Sequence, residues 1–577
     1  MMPLMNGRGL PVFLRVTKNA LAWLALAWLC DRSVGLEAAP ASGQQAAVAT
    51  GHPLASEAAL QALRSGGNAV DGAIAAALTL GVVDGHNSGI GGGCLMLIRL
   101  PDGSMVALDG RETAPAAATR DMFMREGKPT PALSQTGALA VGVPGALAAY
   151  DYAARHYGRI PLRTHLTIAA QLARNGFNLN RTYARCLTET AEALSRFEAS
   201  RSIFLKPDGT PYREGDVLTQ PDLARTYEAI AEGGIEWFYR GRFAESTGGW
   251  MKTHGGLMTA GDFERYEAKL REPVRTTYRG YEIVGFPPPS SGGVHVAQLL
   301  SILEHLDLKS MGPGSADFIH VVTESLKLAF ADRAYWLGDS DFAPVPRGLV
   351  SEEYAGKLAK RIDLKRASPV PQHDVPDRAG DDVFGKHTTH FSVADAAGTW
   401  VACTATLNTS FGSKVVIPGT GVLLNNQMDD FAIAPGTTNY FGLVGGEANA
   451  VAPGKRPLSS MSPTLVLKEG RPVLSVGAAG GPTIISQTLL AILYTVDFGM
   501  PLDEALAQPR FHHQWQPDEL RIEKSVKPKV LRELERRGHK LKVVESLGAT
   551  QAVGWDAKKR LFVGVPDPRG EGKAEGL

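Results

Sequence analysis

The chain contains 577 residues, of which 44% are hydrophobic and 21% are charged, and this composition is ordinary for a globular protein. Its 60 Lys and Arg residues are balanced by 59 Asp and Glu residues, so the net charge is only +1. Since nucleic-acid binding depends on a basic surface and the sequence contains no basic block, these numbers exclude a nucleic-acid partner.

The N-terminal segment is typical of an export signal. Basic residues precede an unbroken apolar run of eleven residues at 20–30, too short to cross a bilayer but suited to the centre of a signal peptide. We predict a signal peptide at 1–41, cleaved near 35–41, and a periplasmic or secreted mature protein. An uncleaved membrane anchor stays open as the alternative. Beyond residue 41 no apolar run approaches the about 18 residues of a spanning helix, so no stable membrane insertion is expected after leader removal.

The cysteines are few and widely spaced. They are Cys30, Cys94, Cys186 and Cys403, and no two of them form a CxxC pair. This spacing indicates neither a disulfide framework nor a zinc site. A single disulfide stays open, and burial as small apolar side chains is favoured.

The first third of the mature chain mixes strands and helices. Residues 47–80 predict a short strand followed by helix, and residues 70–82 predict an Ala-rich helix with few polar residues, which should be buried. After a glycine-rich loop, residues 95–98 and 106–109 predict two strands of a hairpin. The residues that follow this hairpin directly are Arg111 and Glu112.

The middle of the chain is mainly helical by its periodicity, from residue 145 to residue 360. Residues 286–293 must be irregular, because their three consecutive prolines cannot join a helix interior or a strand ladder. Residues 321–335 predict a long amphipathic helix. Residues 365–387 contain three prolines among charged residues without any period, so we predict an exposed linker there.

The character of the sequence changes after this linker. Residues 389–393 and 399–407 alternate apolar and polar residues around the turn sequence Asp395-Ala396-Ala397-Gly398, and this pattern predicts a β-hairpin. From there to the C-terminus, strands alternate with two predicted helices, near 483–494 and 529–537.

Several common catalytic signatures are missing. The sequence contains no GxSxG, GxxxxGK[ST], HExxH or SxxK motif. The glycine loop at 89–93 has no downstream strand–helix–strand context, so a nucleotide cradle is not expected. The histidines, including His512 and His513, lack metal-ligand spacing. We therefore expect neither a cofactor nor a metal.

Thr388 stands where the predicted linker meets the predicted hairpin. A threonine that becomes a chain terminus can use its own α-amine as the base that activates its hydroxyl. This chemistry requires a cut in an exposed loop just before a rigid strand, and residues 365–388 have that layout. Threonine begins many ordinary strands, however, so the position alone does not identify a nucleophile.

The motifs around Thr388 resemble the signature of the γ-glutamyltranspeptidase family. The matching segments are Thr388-Thr389-His390-x-Ser392-Val393, Thr404-x-Thr406-Leu407-Asn408, Phe411-Gly412, and residues 55–56, 66–71, 88–93, 142–145, 424–431, 455–464 and 510–514. The spacing is kept throughout, and Thr399 is the one mismatch within the signature. The resemblance extends from about residue 47 to residue 569.

The resemblance implies an α+β fold, the αββα four-layer sandwich of the N-terminal-nucleophile hydrolases. It also implies one compact unit made of two subunits that arise from a single precursor by autoprocessing. The cut would fall between His387 and Thr388. This places the large subunit at 42–387, ending in the exposed linker, and the small catalytic subunit at 388–577.

The same resemblance implies the roles of the catalytic residues. Thr388 is expected to attack the γ-carbonyl and form an acyl-enzyme, with its free amine as general base. Thr406 is expected to hydrogen-bond the Thr388 hydroxyl and assist self-cleavage. The backbone N–H groups of Gly480 and Gly481 are expected to stabilise the oxyanion.

A γ-glutamyl group carries an α-carboxylate and an α-ammonium, so its site must offer both charges. By resemblance, the carboxylate ligands are Arg111, Ser459 and Ser460, and the ammonium ligands are Asp430, Gln427 and Asn408. A guanidinium can hold a carboxylate by two parallel hydrogen bonds. A lone arginine or aspartate would normally be assigned to the solvated surface, and Asn425-Asn426 to a turn.

Residues 439–446 resemble the lid loop that some family members place over the site. The family's lid commonly presents Tyr where this chain has Phe441, and Tyr440 is its neighbour. Loss of that hydroxyl is expected to alter how water is excluded, and with it the balance between hydrolysis and transfer.

The sequence therefore predicts a hydrolase and acyltransferase that moves the γ-glutamyl group of glutathione and related compounds to water or to amino acid and peptide acceptors. A related exported acylase that acts on a glutaryl-β-lactam or on poly-γ-glutamate is the alternative. Asp430 argues against the glutaryl version, because a glutaryl group has no ammonium. A non-catalytic binding protein on the same scaffold is the third interpretation.

Overall fold

The structure is a computed structural model that describes residues 39–376 and 392–577. Most of the predicted signal peptide and the predicted nucleophile Thr388 therefore lie outside the described residues, as does the end of the predicted linker. Residues 365–376, its described part, contain neither helix nor strand.

Most of the α-helices in the described part of the chain come before residue 376, and the last three follow residue 391. They are α1 (Pro53–Arg64), α2 (Ala69–Val83), α3 (Ala132–Gln135), α4 (Ala146–Tyr157), α5 (Leu162–Asn175), α6 (Arg181–Ser195), α7 (Glu198–Phe204), α8 (Pro221–Gly233), α9 (Glu236–Tyr239), α10 (Arg242–Thr253), α11 (Ala260–Glu264), α12 (Gly292–Glu304), α13 (Leu308–Met311), α14 (Ala316–Trp336), α15 (Glu352–Ala359), α16 (Thr483–Val496), α17 (Leu502–Ala507) and α18 (Pro528–Arg536). Short 3-10 helices include Gln427–Asp430.

Strands occur on both sides of residues 377–391. They are β1 (Ala41–Gly43), β2 (Ala46–Thr50), β3 (Gly93–Arg99), β4 (Met105–Gly110), β5 (Met124–Arg125), β6 (Lys128–Pro129), β7 (Phe177–Asn178), β8 (Val217–Leu218), β9 (Lys269–Arg271), β10 (Val274–Tyr278), β11 (Tyr281–Gly285), β12 (Ser392–Asp395), β13 (Trp400–Thr406), β14 (Thr464–Lys468), β15 (Arg471–Ala479), β16 (Phe511–His512), β17 (Leu520–Glu523), β18 (Leu541–Val544), β19 (Ala549–Asp556), β20 (Leu561–Val565) and β21 (Lys573–Gly576).

Two seven-stranded antiparallel sheets form the centre of the fold. The first has the strand order β1-β20-β19-β15-β14-β11-β10 and the second has the order β21-β2-β12-β13-β3-β4-β9. Each sheet combines strands from before residue 377 with strands from after residue 391. Neither part of the chain could complete either sheet alone.

The sheets pack face to face and are covered by helices on their outer faces. Their inner faces share an apolar cluster that includes Leu97 and Trp400 of the second sheet and Leu465 and Phe562 of the first. Helices α1, α2 and α4 pack on the outer face of the second sheet, and α5 packs against α2. Helices α12 and α16 pack on the outer face of the first sheet, and α14 packs against α12. This arrangement confirms the predicted αββα sandwich.

Two helices show how the sequence produces these layers. Helix α2 begins with a capping box in which Asn68 and Asp71 satisfy each other's backbone N–H groups, and all of its residues are buried, as predicted. Helix α14 begins at the N-cap Ser315, and its residues 318–333 are all buried. Since α14 has no solvent-facing side over that stretch, its polar side chains need partners inside the protein.

The local predictions hold except in the middle and near the C-terminus. Helix α12 begins at Gly292, inside the segment predicted to be irregular, and α14 is buried over 318–333 rather than amphipathic. The predicted hairpins are β3–β4 and β12–β13, although residues 389–391 lie outside the described part. The region predicted as mainly helical also contains β10 and β11, which form one edge of the first sheet. Helix α17 was not predicted.

The cysteines and the helices of the described residues bear on two further predictions. Cys94, Cys186 and Cys403 are buried and carry free thiols, as the favoured interpretation expected. Within residues 39–376 and 392–577, no helix is both long enough and apolar enough to cross a membrane.

Candidate active site

Thr406, the last residue of β13, lies opposite Gly93 of β3. Its hydroxyl oxygen accepts a hydrogen bond of 2.8 Å from the backbone N–H of Asn408. Because the oxygen accepts there, the hydroxyl proton stays available for a further partner. Asn408 has a φ of 82°, a left-handed conformation that asparagine adopts more readily than most residues.

Gly480 and Gly481 form the turn between β15 and α16. Their φ angles are 136° and 60°, in the region that favours glycine. Among the described residues, neither backbone N–H donates a hydrogen bond, and both precede the N-terminus of α16. Two such N–H groups at the positive end of a helix dipole can stabilise a developing oxyanion.

The charged part of the site is an ion pair between Arg111 and Asp430. Arg111 Nη2 donates to Asp430 Oδ2 at 2.6 Å, and Arg111 Nε donates to the carbonyl oxygen of Pro457 at 3.1 Å. The Arg111 side chain is 1% exposed and that of Asp430 is 11% exposed. The pair thus presents a positive and a negative group side by side, the complement of a zwitterionic ligand.

Two amide side chains offer further acceptors at the 3-10 helix that carries Asp430 and at the residue before it. Gln427 Nε2 donates to Asp430 Oδ2 at 2.8 Å, and Gln427 Oε1 is buried without a hydrogen-bond partner among the described residues. Asn408 Nδ2 donates to the carbonyl oxygen of Asn426 at 3.1 Å, which leaves Asn408 Oδ1 as an acceptor. One carboxylate and two amide oxygens suit an ammonium group, which only donates.

Two buried serines lie next to the backbone that holds Arg111. Ser459 Oγ accepts from the backbone N–H of Met461 at 3.0 Å, and Ser460 Oγ accepts from Arg333 Nη2 at 3.0 Å. Each hydroxyl therefore keeps its proton for another acceptor, which suits a ligand carboxylate. Arg333, which comes from α14, was not among the predicted site residues.

Glu112 is a second residue whose part in the site the sequence did not reveal. Both carboxyl oxygens are buried without a hydrogen-bond partner among the described residues, and Oε2 lies 3.7 Å from Arg111 Nη1. Burial raises the pKa of Glu112 to about 7, against the opposing effect of the Arg111 charge. A Cβ on Gly93 would collide with this carboxyl, so Glu112 lies beside the strand position that faces Thr406.

The predicted lid segment covers the glycine turn. A Cβ on Gly481 would lie 2.6 Å from the ring of Phe441, so the phenyl ring packs directly over the turn. Asn439 ties the lid to the ion pair, because its Oδ1 accepts from the Phe441 N–H at 3.0 Å and its Nδ2 donates to Asp430 Oδ1 at 3.3 Å. Tyr440 is 60% exposed, so Phe441 is the aromatic residue that faces the site.

Nine of the ten predicted site residues lie in the described part of the chain, and Thr388 does not. Hydrogen bonds and packing link these residues, from Thr406 through Asn408 to the 3-10 helix that carries Asp430, and from Asp430 through the lid to Gly481. They come from distant segments of the sequence. Their individual roles stay predictions.

One buried cluster outside this site has residue types that bind metals. His320, Glu324 and His539 approach one another within 4.8 Å, a grouping that the sequence spacing did not suggest. His320 Nε2–H donates to the Asp363 carbonyl at 2.7 Å, and His320 Nδ1 accepts from His539 at 2.7 Å. Lys327 Nζ lies 2.9 Å from Glu324 and neutralises its charge. The contacts explain the cluster as an internal hydrogen-bonded network.

Sequence comparison places the chain in a known family. Residues 55–577 match the family described as Gamma-glutamyltranspeptidase. The chain is 44% identical over 533 residues to the glutathione hydrolase proenzyme of Escherichia coli (strain K12), covering 92% of this chain and 91% of that protein.

Solved structures share the fold. The cephalosporin acylase of Bacillus halodurans superposes with a TM-score of 0.84 at 28% identity, over 95% of this chain and 98% of that one. The Helicobacter pylori gamma-glutamyltranspeptidase chain gives a TM-score of 0.56 at 39% identity, over 57% of this chain and 95% of that one. From the extent of the sequence match, the chain belongs to the gamma-glutamyltranspeptidase family.

Proposed function

We propose that this protein is an autoprocessing γ-glutamyltranspeptidase and glutathione hydrolase. It transfers the γ-glutamyl group of glutathione and related amides through a Thr388 acyl-enzyme to water or to amino acid and peptide acceptors. The observation that carries the proposal is the Arg111–Asp430 ion pair, linked through the lid to the two glycine N–H groups of the β15–α16 turn.

The arrangement of donors and acceptors supports a γ-glutamyl substrate. On one side, Arg111 and the protons of the Ser459 and Ser460 hydroxyls can bind the α-carboxylate. On the other side, Asp430 and Gln427 Oε1, which has no partner among the described residues, can accept from the α-ammonium. Asn408, bonded to the backbone of Asn426, offers a third acceptor. On binding, the substrate carboxylate would replace Asp430 as the ionic partner of Arg111, and the substrate ammonium would replace Arg111 as the partner of Asp430.

The proposed reaction is acyl transfer in two halves. The Thr388 amine takes the hydroxyl proton as Oγ bonds to the γ-carbonyl carbon, and the carbonyl electrons move to the oxygen. The N–H groups of Gly480 and Gly481 hold this oxyanion. When the intermediate collapses, the C–N bond breaks and the amine proton passes to the leaving nitrogen. Water or an acceptor amine then repeats the sequence on the ester.

The strand register supports Thr406 as the partner of the nucleophile. Ser392 pairs with Ala402 in the antiparallel β12–β13 ladder. Thr388 precedes the first of these residues by four positions and Thr406 follows the second by four. This equal separation supports the inference that Thr406 assists the Thr388 hydroxyl.

We propose the subunit and export assignments on similar grounds. The cut between His387 and Thr388 would leave subunits 42–387 and 388–577, and the removal of residues 1–41 would accompany export. The proenzyme name of the Escherichia coli relative supports a precursor, and so does the Helicobacter pylori chain, which is nearly fully aligned yet matches only 57% of this chain. The interleaved strands explain why the two parts would stay together as a heterodimer.

The competing proposal is an acylase that removes a glutaryl group from a β-lactam. The similarity to the Bacillus halodurans cephalosporin acylase favours it, and Arg111 with the two serines could bind a glutaryl carboxylate. Such a substrate would leave Asp430 and Gln427 without the ammonium that they suit. The γ-glutamyl proposal accounts for both ends of the site.

The first test is intact-mass analysis of the purified protein with N-terminal sequencing of any small fragment. A fragment that begins Thr388-Thr389-His390 is expected, and Thr388→Ala should give an uncut, inactive precursor. A Thr388→Ala protein that is processed and active would contradict the assignment of Thr388 as the nucleophile. Rates on γ-glutamyl and glutaryl anilides then separate the two substrate classes, and faster glutaryl cleavage would overturn the γ-glutamyl choice.

A further inference from the structure

Arg333 is a buried arginine with no ionic partner among the described residues. It lies near the end of α14 and is 5% exposed. Its Nε donates to Ser291 Oγ at 3.0 Å and its Nη2 donates to Ser460 Oγ at 3.0 Å. Within residues 39–376 and 392–577, no carboxylate lies within 4.0 Å of its guanidinium nitrogens, and Nη1 has no hydrogen-bond partner.

The charge of Arg333 belongs to the active site. Burial lowers its pKa to about 10, with Asp430 opposing that effect and Arg111 adding to it, so the group stays cationic at neutral pH. The interaction with both residues places Arg333 in the field of the same ion pair. A buried guanidinium without a carboxylate is costly, and an anionic ligand would remove that cost.

The hydrogen bonds around Arg333 also fix which way its serine neighbours point. A guanidinium can only donate, so Ser291 and Ser460 must both accept from it. The Ser291 hydroxyl donates its own hydrogen bond to the carbonyl oxygen of Ser459 at 2.8 Å. No hydrogen bond from the Ser460 hydroxyl proton is found among the described residues. Arg333 thus leaves Ser460 as a donor that points away from the arginine.

We propose that Arg333 is a positioning residue for the substrate carboxylate. It holds Ser460 as a hydrogen-bond donor to the α-carboxylate and supplies the second positive charge, beside Arg111, at that end of the site. This inference rests on the proposed function, since it assigns the carboxylate of the same γ-glutamyl group. Ser291 is the brace that keeps the guanidinium in place, through its bond to the backbone of Ser459.

The test uses three anilide substrates that differ only in the charged groups of the acyl chain. The γ-glutamyl anilide has both charges, the glutaryl anilide lacks the ammonium, and the 4-aminobutyryl anilide lacks the carboxylate. The variants are Arg333→Gln, Arg333→Lys, Ser460→Ala and the double variant Arg333→Gln/Ser460→Ala. Arg240→Gln, an exposed arginine on the surface, is the control for loss of a guanidinium elsewhere.

The proposal expects a loss confined to substrates that carry a carboxylate. Arg333→Gln should lower kcat/KM for the γ-glutamyl and glutaryl anilides on the order of 10- to 100-fold, mostly through KM, and change the 4-aminobutyryl anilide little. Ser460→Ala should show the same selectivity, and the double variant should lose less than the product of the single losses. Arg333→Lys keeps the positive charge but cannot donate to Ser291 and Ser460 at once in the geometry of a guanidinium. Its kcat/KM should therefore lie between those of the unmutated protein and Arg333→Gln.

Other results would overturn the proposal. An equal loss on all three substrates, or no loss, would make Arg333 a structural residue, as would Arg333→Lys and Arg333→Gln proteins that fail to process. Additive losses in the double variant would separate Arg333 from Ser460. Failure of the proposed function would look different, because the unmutated protein would then show no preference for the γ-glutamyl anilide.

Discussion

Replacement of Asp430 by Asn tests the ammonium half of the site with little disturbance of its shape. The Asn side chain keeps an oxygen that can accept from Arg111 and from Gln427, whose bonds to Asp430 are 2.6 and 2.8 Å. Arg111 also stays anchored by the carbonyl oxygens of Pro457 and Leu458, at 3.1 and 3.4 Å. With its oxygen there, the Asn amide nitrogen faces Asn439 Nδ2, which loses its acceptor at 3.3 Å. The losses are therefore the negative charge and this one bond to the lid, and the fold and the processing should survive.

The magnitude follows from the burial of the charge. Asp430 is only 11% exposed, and removing one member of a buried, hydrogen-bonded charge pair costs about 2–5 kcal/mol in binding. This corresponds to a loss of roughly 30- to 5,000-fold in kcat/KM for a γ-glutamyl anilide. A glutaryl anilide carries no ammonium for Asp430 to bind, so its kcat/KM should fall far less or rise.

The assay is steady-state hydrolysis of both anilides by protein that two fragments on a gel show to be processed. The ratio of the two kcat/KM values should shift toward the glutaryl substrate in Asp430→Asn. A parallel fall on both substrates would mean that Asp430 acts by orienting Arg111 rather than by binding ammonium, and would refute the reasoning.

Two further predictions concern Glu112 and the glycine turn. Burial raises the pKa of Glu112 from 4.5 to about 7 in the folded protein, so the folded state binds this proton more tightly than the unfolded state. The free energy of unfolding should therefore fall as the pH rises from 4.5 to about 7, by at most about 3 kcal/mol. Glu112→Gln should flatten that fall in denaturant titrations at pH 5 and pH 7.5, and an unchanged slope would contradict it. Gly481→Ala places a Cβ 2.6 Å from the Phe441 ring at a φ of 60°, so kcat should fall about 10- to 100-fold as one oxyanion donor shifts. Gly249→Ala, where a Cβ meets nothing within 4 Å, should leave kcat unchanged.

Much of the fold could be predicted because its signals are local. The β3–β4 and β12–β13 hairpins carry alternating patterns with turn residues between them, and α2 carries its capping box in adjacent residues. The strands β10 and β11 were missed although Arg279-Gly280 makes a tight turn between them. These strands are stabilised by the pairing of β11 with β14, which comes from far along the chain. Each is only five residues long, so the helical periodicity of the surrounding residues dominates the sequence pattern.

The site was predictable only where family motifs preserve it. Local patterns reach about four residues along the chain, whereas Arg111 and Asp430 are 319 positions apart and Arg333 and Ser460 are 127 apart. No spacing rule joins such pairs. The resemblance therefore supplied Arg111 and Asp430, and Asn439 only as part of the lid, but not Arg333. Their contacts became visible only in the folded chain.

Arg333 illustrates why a charged residue in a helix is so easily misread. The sequence predicts residues 321–335 as an amphipathic helix, which would put an arginine on the solvated face. In the structure residues 318–333 of α14 are all buried, because other elements of the chain pack on every side of that stretch. A polar face that is buried in this way must be paired internally or must face a ligand. Glu324 and Lys327 are paired internally, with each other. Arg333 lies about two turns further along the helix, among the serines of the site, and faces the ligand.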